Sequence, residues 1–104
     1  MNIILLRNQA CHIWQTQFEV LQEVLKEKNI SIIPKVFIIE SLIDAAQYKF
    51  LGSPTILIDG KDIDEPKILP EKYTEHGCRL YVYQGKVYEY APKEMLKEVI
   101  LKNL

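Results

Sequence analysis

The stretch 51–60, LGSPTILIDG, decides how this chain is read. Residues 55–58 are β-branched or apolar throughout and read as a strand buried on both faces. Asp59-Gly60 closes that strand with a turn signal. Pro54 stands at its mouth. A proline offers no N–H to a ladder, so it marks where a sheet begins and not where one continues. The flanking segments say which sheet this strand joins.

Upstream, NIILLR (2–7) is a short apolar run ending in a charge, which reads as another buried strand. NQA breaks it. Residues 12–28 then carry Trp14, Phe18, Leu21 and Leu25 at spacings of four, three and four, with polar residues on the opposite face, the pattern of an amphipathic helix. SIIPKVFIIE (31–40) reads as a second strand with Pro34 near its start. Ser41 can cap a short helix over 42–50 that stops at Gly52.

Downstream, residues 61–77 are charged, carry Pro66 and Pro70, and read as a long loop. CRLYVY (78–83) and VYEYA (87–91) read as a hairpin around Gly85. Pro92 and Glu94 open a last helix through Leu101. The order is β-α-β-α-β-loop-β-β-α. Its first half is a βαβ unit with parallel strands, and its second half is antiparallel. The expected class is α/β, with a mixed sheet of four to five strands and helices on both faces.

The length, 104 residues, suits one domain spanning 1–104. A formal charge of −1 gives no reason to expect a nucleic-acid or membrane surface. The run IILL is far too short for a signal-peptide core or a membrane span, so a cytoplasmic protein is expected. Two cysteines, Cys11 and Cys78, do not make a disulfide-rich secreted scaffold. They could be a buried pair, a redox pair, or two thiols that never meet.

This element order, together with ACHIW (10–14) and GSPT (52–55), resembles the thioredoxin-like family over most of the chain. The resemblance implies a cis bond at Ser53–Pro54, with Pro54 facing Cys11. It also implies a Ser53 backbone free to pair with an extended substrate, so Ser53 and Pro54 are the expected substrate-binding residues. Cys11 would lie at the helix N-terminus, where the helix dipole and open N–H groups favour a thiolate, the nucleophile of thiol–disulfide exchange. One departure is plain. The family's redox motif is C-x-x-C, and here it is Cys11-His12-Ile13-Trp14. Tryptophan replaces the resolving cysteine, and its spacing with Phe18 marks it as core. His12 reads as a solvated residue. A monothiol mechanism, a distant resolving cysteine and no redox chemistry all remain open.

Only Cys78 can be the distant partner. If VYEYA is the last strand of a thioredoxin-like sheet, its hairpin partner runs the other way and begins, at Cys78, on the edge that holds Cys11. Cys11, His12, His76 and Cys78 are also a set of soft metal ligands, but their spacing does not match zinc knuckles. GCRLY (77–81) gives a looser resemblance to the thioredoxin-like core of alkylmercury lyases, in which two separated cysteines grip mercury. The acid that this family places three residues after its first cysteine is Trp14 here. C–Hg cleavage is therefore not expected, while soft-metal binding by Cys11 and Cys78 stays open. The expected function is a thiol-dependent redox protein using Cys11 and Cys78. It would act on a thiol or disulfide protein or a small-molecule thiol, with no cofactor. The alternatives are a non-catalytic soft-metal or peptide-binding module on the same fold, and a structural domain with both thiols buried.

Overall fold

The computed structural model describes residues 1–65 and 75–104. Its centre is β1 (Ile3–Asn8), flanked by β2 (Lys35–Ile39) and β3 (Thr55–Ile58), with the short β4 (Lys61–Asp62) outside β3 in the order β2-β1-β3-β4. β1 and β2 run parallel, from Ile4 opposite Lys35 to Asn8 opposite Ile39. β3 is antiparallel to β1, with Leu6 opposite Thr55 and Ile3 opposite Ile58. The sheet is therefore mixed, and the parallel pairing of the first two strands is as the βαβ pattern predicts.

The fourth strand is not where the sequence reading puts it. Residues 61 and 62 were expected to open the long loop, yet they pair with Ile58 and Leu57. The reason is local. Asp59 and Gly60 both take positive φ, 51° and 83°, and such a two-residue turn sends the chain straight back along the strand it has left. Most of the rest of that predicted loop, 66–74, lies outside the described residues. The expected final strands form a separate two-stranded sheet, β5 (Tyr81–Tyr83) with β6 (Lys86–Tyr88), turned by Gln84-Gly85. They do not extend the main sheet, and both are shorter than 78–83 and 87–91.

Strand alternation sorts the helices onto the two faces. Ile3 and Leu5 point into a core shared with Leu21, Val24 and Leu25 of α1 (Trp14–Glu27) and with Met95, Leu96 and Ile100 of α3 (Lys93–Lys102). Trp14 and Phe18 pack against this core at its margin, so the expected stripe of α1 is the buried one. Leu6 points the other way, with Ile39, Phe50, Leu57 and Ala45 of α2 (Leu42–Gln47). Ser41 caps α2 by accepting from the Asp44 N–H at 3.1 Å. The helix ends at Tyr48, earlier than Gly52, because Lys49 turns to positive φ.

One fully buried residue of α1 is polar. Gln17 donates from Nε2 to the Ala91 carbonyl (3.1 Å) and accepts from the Ala91 N–H (2.6 Å). Its amide satisfies both backbone groups of a buried residue just before α3. Gln17→Met keeps the volume and strands both groups, so it should destabilise the protein by about 1–3 kcal/mol. A lowered denaturant midpoint at unchanged m-value is the expected reading. Exposed pairs also tie α3 to α1: Lys93 meets Glu23 and Glu27, and Lys97 meets Glu27. The two ammonium groups hold the Glu27 carboxyl below its ordinary range, but pairs this exposed add little stability. Among the described residues, no helix is long and apolar enough to cross a membrane.

Candidate functional site

The site is built where β1 ends and β3 begins. Continuing their register two steps beyond Leu6 and Thr55 brings Asn8 opposite Ser53, and the Asn8 N–H donates to Ser53 Oγ at 3.3 Å. Cys11 follows Asn8 by three residues, a span of at most about 10 Å. It is 9 % exposed. The Ser53–Pro54 bond is cis, as the resemblance implies.

Cys78 reaches this edge by a route the sequence reading does not contain. It was expected there as the first residue of a strand in the main sheet. Instead, residues 77–79 lie alongside Ser53 as a short parallel partner, with Cys78 bridged to Ser53. The Ser53 N–H donates to the Gly77 carbonyl at 2.9 Å, and the Arg79 N–H donates to the Ser53 carbonyl at 3.3 Å. Asn8 Nδ2 adds a second bond to the Gly77 carbonyl, at 2.9 Å. Cys78 itself is exposed, in contrast to Cys11.

The rest of the Gly52–Pro54 segment is engaged as well. Thr55 Oγ1 donates to the Gly52 carbonyl (2.6 Å), and the Tyr81 hydroxyl donates to the Pro54 carbonyl (2.6 Å). Tyr81 is fully buried, and burial pushes its phenol well above the ordinary range, so it stays a donor. The Ser53 backbone, expected to be open for a substrate, is thus occupied by the chain's own 77–79 segment.

Arg79 anchors that segment from below. Its Nη1 meets Asp62 Oδ2 at 2.7 Å and Thr55 Oγ1 at 3.2 Å, its Nη2 donates to the Asp64 carbonyl at 2.9 Å, and its guanidinium stacks 4.4 Å from the Tyr81 ring centroid. The Arg79 and Asp62 side chains are 8 % and 9 % exposed. Sequence reasoning missed Asn8, Arg79 and Asp62. The available signal was a polar residue ending an apolar strand and an arginine directly after the second cysteine.

Trp14 has no thiol chemistry to offer. Its ring carries the Arg7 guanidinium at 4.4 Å and packs on the α1 core. α1 begins at Trp14, with Ile13 as its N-cap, so Cys11 lies just before the first turn, two residues ahead of the cap. His12 is exposed, and His76 sits 3.5 Å from Glu75. Among the described residues, no three His, Cys, Asp or Glu side chains group so as to hold a metal ion. A cavity of about 180 Å³ opens beside the site, lined by Asn8, Gln9, Ala10, Ile39, Glu40, Glu75 and His76. Comparison of the chain with family models, with curated proteins and with solved structures finds no match.

Proposed function

We propose that this protein is a thioredoxin-like, thiol-dependent redox protein whose working pair is Cys11 and Cys78. One observation carries the reading: Cys78 is bridged to Ser53, at the sheet edge that Cys11 follows by three residues. The strand order and the helices on both faces of the sheet support the fold reading. With Trp14 in place of a resolving cysteine, the second thiol comes from the far end of the chain, held against Ser53 by backbone hydrogen bonds. A disulfide oxidant RSSR would leave a Cys11–Cys78 bond and two RSH, the two protein thiols supplying both protons.

Mild oxidation with a disulfide should therefore lower the mass of the intact chain by two hydrogens and join peptides containing Cys11 and Cys78. Cys11→Ser and Cys78→Ser should each abolish that product and leave mixed disulfides instead. If the wild-type chain yields only mixed disulfides or intermolecular dimers, the two-thiol reading fails. The soft-metal alternative uses the same two sulfurs and would show itself as a one-metal adduct lost in either variant.

A further inference from the structure

We infer that residues 77–79 are a resident strand on the Ser53 edge that shuts out extended polypeptides, so that the site takes small disulfides, which meet Cys78 first. The inference rests on the two-thiol reading and adds the substrate class and the order of attack.

An extended polypeptide can add to an edge only where N–H and C=O groups are open. Here none is. The Ser53 N–H and carbonyl go to Gly77 and Arg79, and the Pro54 carbonyl goes to Tyr81. Pro54 has no N–H to offer. Nor can a second strand slip between the segments. Gly52 runs so close to the 77–79 backbone that a Cβ on it would lie 2.7 Å from the Cys78 carbonyl carbon and 2.8 Å from the Arg79 nitrogen. The strand is held at both ends: Asn8 binds the Gly77 carbonyl, and the Arg79 side chain is buried on Asp62. A polypeptide could pair with Ser53 only after these bonds break.

A small disulfide faces no such requirement, because Cys78 is exposed while Cys11 is 9 % exposed. The Cys78 thiolate attacks one sulfur of RSSR. The S–S bond breaks, a mixed disulfide forms on Cys78, and RS⁻ leaves and takes up a proton. The Cys11 thiolate then attacks the Cys78 sulfur and releases the second RSH. The protein pair is oxidised by two electrons and RSSR is reduced by two.

The test uses the full reduced chain and two probes, hydroxyethyl disulfide and an extended peptide whose one cysteine is capped as a mixed disulfide. Each rate is divided by that of the same probe with free cysteine. The small disulfide should be favoured roughly tenfold or more, since the peptide must first open at least two backbone hydrogen bonds. In Cys11→Ser, the small probe should leave a stable adduct on Cys78. Amide hydrogen exchange gives a readout that needs no thiol chemistry: the Ser53 and Arg79 amides should exchange as slowly as those of β1, with or without the peptide. Equal normalised rates, no reaction with the small probe, faster adduct formation on Cys11 in Cys78→Ser than on Cys78 in Cys11→Ser, or rapid exchange at Ser53 would each overturn the inference. A wild-type chain that stops at a Cys78 adduct would instead sink the two-thiol reading and leave the resident strand standing.

Discussion

Gly52→Ala should cost on the order of 4 kcal/mol of stability and detach Cys78 from Ser53. Two effects add. Gly52 sits at φ 136°, a region closed to residues with a Cβ, and forcing one there costs about 1–3 kcal/mol. The new Cβ would also meet three backbone atoms of Cys78 and Arg79 at 2.7–2.9 Å, where no flexible side chain can give way, and overpacking of this kind costs about 1–3 kcal/mol more. Gly85→Ala is the matched control. Its φ is 78°, but a Cβ there would have nothing within 4 Å, so only the backbone cost of about 1–2 kcal/mol applies. Chemical denaturation of both variants separates the two contributions. If steric exclusion by the 77–79 backbone is real, Gly52→Ala should also give far less intramolecular disulfide under mild oxidation, whereas Gly85→Ala should oxidise like the wild type. Equal losses of stability in the two variants would mean that the segments do not touch.

Gly52 also shows where sequence reading stops. The strand at 55–58, its turn, the capped α2 and the buried stripe of α1 follow from periodicity and from single residues whose local preferences agree with the fold: Asp59-Gly60, Ser41, and Leu21 with Leu25. The fourth strand is not legible in the sequence, although its turn is. A two-residue pairing has no hydrophobic period, and Lys61-Asp62 looks like loop. Cys78 stands beside Ser53, but not for the reason the sequence pattern gives. The hairpin that was to place it belongs to another sheet, and what holds it is a set of contacts to Asn8, Gly52, Ser53 and Asp62, residues 16 to 70 positions away. Pairings at that separation leave no trace in local pattern. The burial contrast between Cys11 and Cys78, from which the order of attack is inferred, is a property of the folded surface alone.

Arg79→Ala should be comparably damaging, at about 3–5 kcal/mol, because it leaves the Asp62 carboxylate buried without its partner. The loss is larger than for an exposed pair such as Lys93 with Glu23, where water replaces the missing ion. It is also larger than the guanidinium's attraction alone would suggest, since the Asp64 carbonyl and Thr55 hydroxyl lose a partner and the Tyr81 ring loses its stacking cation. Arg79→Lys should recover little: an ammonium can satisfy Asp62, but it cannot fork to Asp64 or lie flat on the ring. A double-mutant cycle isolates the pair. Asp62→Asn in the Arg79→Ala background removes the stranded charge, so the double variant should be more stable than the sum of the two single losses predicts, by on the order of 1–3 kcal/mol. The same cycle read through chemistry tests the link to the site. If the Arg79–Asp62 pair holds Cys78 in place, each single variant should slow Cys11–Cys78 bond formation in the folded chain, measured well below its denaturation midpoint. Stability losses that follow this cycle with unchanged oxidation rates would make the ion pair a brace for β4 and β5, and would leave Asn8 and the Ser53 backbone as the groups that hold the second thiol.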